Sequence, residues 1–379
     1  MRILITGARA PVAIEWARLL MSQGHQVYMT DCAKCPLGRF LVGIKAYAKT
    51  VSPRENPEQY QRQVIALIDK YQIQMLIPTC EEIFYLAQFK HLLAQTNCLI
   101  SDANLLLKLH DKFAVFEMLS GLSGVQLPKT KKLTSIEQID LEWDSILKPA
   151  FSRFGEQVIR DVTTSAIHNL NISESRPWVQ QQKLTGQALC NYALFDNGKL
   201  IAHQVYRPAY CVNGSAATYF QPVVNHAINT FIKSFAQKVY FHGQLSFDFI
   251  EQNGEYFVIE CNPRATSGLH LIAHELRFLA IEHLNIEKAV IPKVTINNNP
   301  SQAQYIGFTM LIAGGVSTLF STQTWRDFFQ AKNALSDKTY PLQPWAQIIS
   351  GAELIITAFR NKQSLAAAST AGIEWNGEV

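Results

Sequence analysis

The sequence lacks any apolar run long enough to cross a bilayer. Its longest weakly polar stretch, Phe308 to Phe320, carries two glycines, one serine and two threonines, and falls short of the roughly 20 apolar residues that a spanning helix needs. A basic block of five or more residues is also missing, and 34 basic against 30 acidic side chains leave a net charge of only +4. Neither a nucleic-acid backbone nor an anionic membrane is therefore expected as a partner. Cysteine is present without a pattern: seven residues, an odd number spread along the chain, suit reduced thiols and not a disulfide framework. Cys32 and Cys35 form a lone Cys-x-x-Cys pair, without the two further ligands that zinc requires or a thioredoxin-like context. Met1-Arg2 runs straight into Ile3-Leu4-Ile5 with no extended apolar leader, which predicts a cytoplasmic protein.

What is present is core-forming material. Hydrophobic residues make up 48% of the 379 positions and charged ones 17%, enough for two or three compact units. Residues 1–104 alternate short β-rich runs with helical patterns: Ile3 to Thr6, Pro11 to Gln23, Val27 to Thr30, Pro57 to Tyr71 and Gln74 to Pro78. That rhythm predicts a parallel sheet with crossover helices. The turn Gly7-Ala8-Arg9-Ala10-Pro11 lacks the full Gly-x-Gly-x-x-Gly pattern, and only the strand-turn-helix context and Asp31 at the end of the second strand support a dinucleotide. A nucleotide-style fold used for another small ligand, or as scaffold, is the favoured reading.

From Leu105 to Leu119 apolar residues recur at helical spacing, and a domain boundary is expected near 104. Ser145 to Ile159 and Trp178 to Phe195 read as strands with glycine-containing turns. Gln244 to Ile250 and Tyr256 to Cys261 read as a hairpin around Asn253-Gly254. This middle region is α+β. After about 290 come the turn Asn297 to Pro300, helical segments near Thr324 to Ala331 and Gln363 to Ala368, and a polar tail.

Four separated elements carry the chemistry: Asp111-Lys112 at a helix start, Ile146 to Gly155 around Lys148, Trp178 to Gly186, and Phe247-Asp248-Phe249 with Glu260-Cys261-Asn262-Pro263-Arg264. Two lysines at strand and helix positions are suited to polyphosphate oxygens, with Lys148 leading into a Ser/Arg/Gly loop whose amides can wrap a phosphate. Glu260 and Asn262, two apart on a strand, share a face, and Asp248 lies on the paired strand. Two carboxylates and an amide oxygen are hard ligands suited to magnesium, whereas zinc prefers His or Cys. Arg264 adds a planar cation for a phosphoryl or carboxylate oxygen. Thr266-Ser267-Gly268, directly after Arg264, could present hydroxyls and backbone amides to an acceptor. His270 and His274 lie four apart on a helix but lack the glutamate of a zinc-protease motif, so packed or substrate-facing roles are favoured.

In their order, across roughly residues 1 to 290, these elements resemble the ATP-grasp superfamily, and most nearly its carbamoyl-phosphate-synthase-like carboxylate-amine ligases. The run Glu260-Cys261-Asn262-Pro263-Arg264 matches the family's Glu-x-Asn-Pro-Arg pattern without a gap. The resemblance implies ATP and Mg2+ as cofactors. Lys112 and Lys148 would bind phosphates, Ser152, Arg153 and Gly155 would belong to the phosphate loop, and Gln181, Gln182 and Leu184 would meet adenine. Asp248, Glu260 and Asn262 would hold magnesium, with Arg264, Lys148 and Arg207 acting on the reacting groups. The sequence departs from the family in having glutamine where the adenine segment usually carries glutamate, Gln187-Ala188 where an acidic ribose contact usually stands, and one glycine in the phosphate loop.

The implied architecture, α/β and α+β, is a Rossmann-like domain at 1–104, followed by a two-subdomain ATP-grasp module at 105–175 and 176–290. Residues 291–379 would complete or cap that module. The implied function joins a small-molecule carboxylate to an amine, such as an amino acid, through an acyl phosphate. Phosphorylation, carboxylation and a non-catalytic metabolite-binding role stand as alternatives, and a homodimer is open.

Overall fold

The computed structural model describes residues 1–153, 155, 157–212, 216–277, 281, 295–296, 302–307, 309–312 and 316–377. The turn expected at 297–300 and the short stretch 213–215 lie outside them. The N-terminal part contains strands β1 (Arg2–Thr6), β2 (Gln26–Asp31), β3 (Ala46–Lys49), β4 (Met75–Ile77) and β5 (Asn97–Cys98), with helices α1 (Pro11–Ser22), α2 (Pro57–Tyr71), α3 (Glu82–Gln88) and α4 (Ala103–His110). The strands are parallel in the order β3-β2-β1-β4-β5, a Rossmann-like sheet. Ile3, Leu4 and Ile5 are all buried, because a parallel strand covered on both faces needs apolar residues at every position and not at alternate ones. Proline opens α1 and α2, and the Asn56 side chain caps α2 by accepting from the Gln59 amide.

The turn after β1 holds itself shut. Arg9 donates to both carboxylate oxygens of Asp31, at 2.6 Å through Nη2 and 3.1 Å through Nε, and its Nη1 reaches the Ala371 carbonyl at 2.8 Å. Burial alone would raise the Asp31 carboxyl, but the Arg9 guanidinium and backbone amides outweigh it and hold it below the ordinary value. The acidic residue that a dinucleotide would need is thus occupied by a side chain of the same turn. Cys32 accepts from Arg9 Nη2 at 2.9 Å, and burial pushes its thiol up to about 12, so it is not a ready thiolate.

The periodicity over 105–119 is divided in the structure into α4 and α5 (Ala114–Leu119). Asp111 leaves helical geometry at ψ 117, and its Oδ1 accepts from the Phe113 and Ala114 amides at 2.8 and 3.2 Å. A carboxylate that caps the next helix ends the previous one, and Lys112 sits in the break. Next come β6 (Thr130–Leu133), β7 (Ser145–Pro149), α6 (Thr164–Ile167) and β8 (Trp178–Gln182), with the strands ordered β6-β8-β7 in a small antiparallel sheet. Because β8 pairs with both neighbours, the boundary expected at 175/176 falls inside this sheet. The division belongs after Gln182.

A larger sheet follows, built from β9 (Gln187–Asp196), β10 (Lys199–Val212), β11 (Ala216–Val223), β12 (Gly243–Gln252), β13 (Glu255–Asn262), β14 (Thr295–Ile296), β15 (Gln304–Tyr305) and β16 (Lys332–Asn333). Its order is β13-β12-β9-β10-β11-β15-β16, with β14 against β10. Helix α7 (His226–Lys238) packs Ile228, Phe231 and Phe235 in the same core as Leu245, Phe247 and Phe249 of β12. Helix α8 (Gly268–Leu276) shares the core of Tyr192 and α1. The N-terminal sheet joins this body directly: buried Gln244 accepts from Trp16 Nε1 at 2.6 Å and Tyr192 OH at 2.9 Å and donates to the Pro78 carbonyl at 3.0 Å. Both its oxygen and its nitrogen are thus paired, two of the three bonds crossing the junction, as a buried amide requires.

The C-terminal part adds α9 (Thr309–Ile312), α10 (Thr322–Gln330), α11 (Ala346–Asn361) and α12 (Leu365–Ala368). The helical segments expected near Thr324 to Ala331 and Gln363 to Ala368 correspond to α10 and α12, whereas α11 was not expected. Besides extending the large sheet with β15 and β16, this part returns to the N-terminal sheet. Trp375 is buried against Tyr85 and Phe84, with ring centroids at 5.0 and 6.1 Å. We predict that Trp375→Ala lowers unfolding free energy by about 3–5 kcal/mol in urea denaturation, the usual cost of emptying a buried aromatic site. A loss under about 1 kcal/mol would mean that the tail is not docked there.

Candidate functional site

The site begins with a hairpin. Asn253 and Gly254 both take positive φ, 55° and 80°, the two left-handed positions that a tight turn between twisted strands demands. This turn sets the register of β12 and β13, so that Asp248 faces Glu260 and Ser246 faces Asn262. Between Asp248/Glu260 and Phe249/Val258 the pairing slips by one residue, leaving Ile259 as a bulge. The Ile259 carbonyl accepts from Lys148 Nζ at 3.1 Å. A lysine of the small sheet therefore reaches a strand of the large one, and the cleft between the two sheets closes around it.

Lys112 enters from the break between α4 and α5. Its amide donates to the Ala150 carbonyl at 3.1 Å, its Nζ to the Ser152 carbonyl at 2.5 Å, and the same Nζ stands 3.5 Å from Glu260 Oε2. Asn262 Nδ2 donates to Asp248 Oδ2 at 3.1 Å and lies 3.5 Å from Glu260 Oε1, while its Oδ1 accepts from Arg264 Nη2 at 3.1 Å. Asp248, Glu260, Asn262, Lys112, Lys148 and Arg264 thus form one connected polar cluster.

Its electrostatics follow from crowding. Burial, then the neighbouring Glu260, raise the Asp248 carboxyl. Burial acts in the same direction on Glu260, but Lys112 and Lys148 overcome it and hold that carboxyl low. Burial brings the Lys148 ammonium down to about 8, with Glu260 pulling the other way. A group moved toward neutral pH by burial beside named charges, at a cleft, is a candidate functional group.

The candidate nucleotide residues are divided by strand alternation. Gln181 stands opposite Ile146, and Lys148 opposite Val179, so Gln181 and Lys148 share one face of the small sheet. Gln181 donates to Thr130 Oγ1 there at 3.1 Å. Gln182 belongs to the other face, where its Oε1 accepts from the Lys129 amide at 3.3 Å. Leu184 is half-buried just beyond. Gly186 lies so near β12 that an added Cβ would stand 1.9 Å from the Glu251 carbonyl oxygen. Gly155 is exposed, and its neighbours 154 and 156 lie outside the described residues.

Two expected residues are not brought to the cluster. Arg207 pairs with Gln221, while its neighbour Tyr206 pairs with Cys190, which itself pairs with Asp248. Alternation turns Arg207 to the opposite face, that of α7. Arg153 is drawn away from the loop: its Nη1 donates to Glu81 Oε2 at 3.2 Å and Asn376 Oδ1 at 3.1 Å, and its Nε to Thr370 Oγ1 at 3.1 Å. His270 is buried with Nδ1 2.8 Å from Glu15 Oε2, whereas His274 is exposed.

Residues 109–268 match the family model described as an ATP-grasp domain. The chain carries an ATP-grasp domain. Solved structures agree with this fold at low identity. An L-amino acid ligase from Bacillus licheniformis superposes with a TM-score of 0.57 at 12% identity, covering 75% of this chain and 73% of the other. An N5-carboxyaminoimidazole synthetase from Staphylococcus aureus gives 0.54 at 14%, covering 71% of each. A biotin carboxylase from Campylobacter jejuni gives 0.56 at 12%, covering 72% and 67%. No curated protein sequence matches the chain.

ATP-grasp domains bind ATP with Mg2+, and the donor set here fits that ion. Asp248 and Glu260 are opposed across one ladder position, and a divalent cation between them would offset both the burial and the Glu260 repulsion that raise Asp248. The two carboxylates are oxygen donors, as magnesium prefers; the Asn262 amide turns its nitrogen to them and its oxygen to Arg264.

Sequence reasoning missed Glu81 and the tail. Glu81 is buried, accepts from Arg153 Nη1 and from the Trp375 amide (3.0 Å) through Oε2, and presents Oε1 4.0 Å from Arg264 Nε. The available signal was that ligands gather beyond the carboxyl ends of parallel strands, where Glu81 stands after β4. We predict that Glu81→Gln costs about 1–3 kcal/mol of stability in denaturant titration, through loss of the charge between two arginines. An unchanged midpoint would remove Glu81 from this network.

Proposed function

We propose that this chain is an ATP- and Mg2+-dependent ligase that joins a small-molecule carboxylate to an amine. The observation that carries this reading is the junction of Lys148, Lys112, Asp248, Glu260, Asn262 and Arg264 within an ATP-grasp domain. The cluster holds cations and hard oxygen donors, which suits a reaction run by positioning and charge neutralisation. The substrate carboxylate oxygen attacks the γ-phosphorus as the β–γ bridging bond breaks, giving an acyl phosphate and ADP. The amine then forms the C–N bond as phosphate leaves.

Lys112 and Lys148 hold phosphate oxygens, and Gln181, on the Lys148 face, lies toward the base. Arg264 steadies the carboxylate as its charge passes to the acyl phosphate. Magnesium held by Asp248, Glu260 and Asn262 would neutralise the polyphosphate. The fold likeness to an L-amino acid ligase supports an amino acid as one substrate, and the free cysteines among the described residues suit the reducing cytoplasm. Structural neighbours that are carboxylases keep bicarbonate as a second candidate for the carboxylate.

The test is ADP release with mixed carboxylates and amines, run with an 18O-labelled carboxylate. The expected result is release that needs both substrates, one 18O atom per phosphate, and a rate lowered on the order of 100-fold by Lys148→Ala. ADP release that depends on bicarbonate, or phosphate without 18O, would overturn the reading.

A further inference from the structure

Helix α11 wears its amphipathicity inside out. The side facing the protein is polar or small: Glu353 accepts from the Lys34 and Cys35 amides at 2.8 and 2.7 Å, Ser350 Oγ donates to the Cys35 carbonyl at 2.7 Å, and Ala346 and Ala358 are buried. The side facing water is apolar. Trp345 at its N-cap, Ile348, Ile349, Ile355, Ile356 and Phe359 are exposed, Ile348 by 75% and Phe359 by 87%, and Ala352 lies exposed among them. Their spacing of three, one, three, three, one and three residues draws one straight seam, the pattern by which helices pair with helices. Together the six large side chains offer roughly 700–800 Å² of apolar surface. That exceeds the ~300–600 Å² patch of an ordinary monomer and approaches the ~800 Å² that each partner contributes to a standard interface.

The seam also says what covers it. It is a palindrome about Ala352: Trp345 reflects onto Phe359, Ile348 onto Ile356, and Ile349 onto Ile355. In an antiparallel pairing about a two-fold axis each residue of one copy meets the reflected position of the other, so the palindrome sets large apolar side chains opposite large apolar side chains. The smallest side chain falls at the crossing point, where two helix axes can approach to about 8 Å. No like charges meet, since Arg360 reflects onto Pro344 and Glu353 is turned to the loop at Lys34. We propose that α11 is a homodimer interface, in which two copies of this chain pack their α11 seams antiparallel about a two-fold axis through Ala352. A membrane surface fits the seam less well, since amphipathic helices that bind lipid carry several cations along the polar side, and α11 has only Arg360.

Sedimentation of the full chain between roughly 0.1 and 50 µM tests this, because dimers of this interface size and seam quality span that range. The expected species has twice the 42.7 kDa chain mass. Ile348→Asp and Ile355→Asp should weaken association about 100-fold or more, since each buries a carboxylate in an apolar seam, and should leave the thermal midpoint of the monomer unchanged. Phe329→Asp, at an exposed position of α10 outside the α11 seam, should leave the dimer intact. Ala352→Cys should oxidise to a disulfide-linked dimer, because the crossing at that residue brings the two sulfurs together. A monomer at the highest concentration would overturn the proposal. So would a dimer that survives both aspartates, or one in which Cys at 352 fails to cross-link.

Discussion

Two carboxylates face each other across a single antiparallel pair, Asp248 against Glu260, and the surrounding site is arranged to make that tolerable. Buried like charges cannot both ionise without compensation. Three separate parts of the chain supply it: Lys112 from a helix break, Lys148 from the small sheet, and the Asn262 amide on the same strand as Glu260. Lys148 reaches β13 only because the bulge at Ile259 offers it a carbonyl. The hairpin turn, the bulge and the placement of the two sheets are thus one problem in electrostatics, solved by geometry.

The N-terminal sheet contributes rigidity and one wall. Its first turn is closed on itself by Arg9 and Asp31 and tied to the tail through the Ala371 carbonyl. Its fourth strand delivers Glu81 between Arg153 and Arg264. The C-terminal tail then locks the assembly, with Trp375 in the core and its amide on Glu81. A site assembled from residues as far apart as 81, 153, 264 and 375 is held by the whole chain, and local flexibility in any one part is limited by the others.

Much of this was legible in the sequence where the chemistry is local. The Glu260 to Arg264 run, the Asn253-Gly254 turn and the two-residue spacing of Glu260 and Asn262 placed the hairpin and its shared face. The alternating rhythm of residues 1–104 placed the parallel sheet. Legibility failed where a residue's role depends on partners distant in sequence. Arg153 and Glu81 are meaningful only beside Thr370, Trp375 and Asn376, and nothing near them in sequence announces this. Lys112 was placed at a helix start, but its periodic neighbours hid the break that Asp111 makes. Arg207 lies on the large sheet, where one step of alternation turns it to the face away from the cluster. Helix α11 has a clear helical period in sequence that went unread, and the return of the chain to the N-terminal sheet decides which of its sides meets water.

The central claim is that the opposed carboxylates and the two lysines form one magnesium-nucleotide site. Calorimetric titration of ATP into the unaltered chain, Lys148→Ala and Glu260→Gln, each with and without Mg2+, tests it most directly. The account predicts Mg2+-dependent binding in the unaltered chain and a loss of affinity of about 10–100-fold in each variant, the scale of one charge-assisted contact. Absence of binding in the unaltered chain with Mg2+ present, or equal binding in all three proteins, would contradict it.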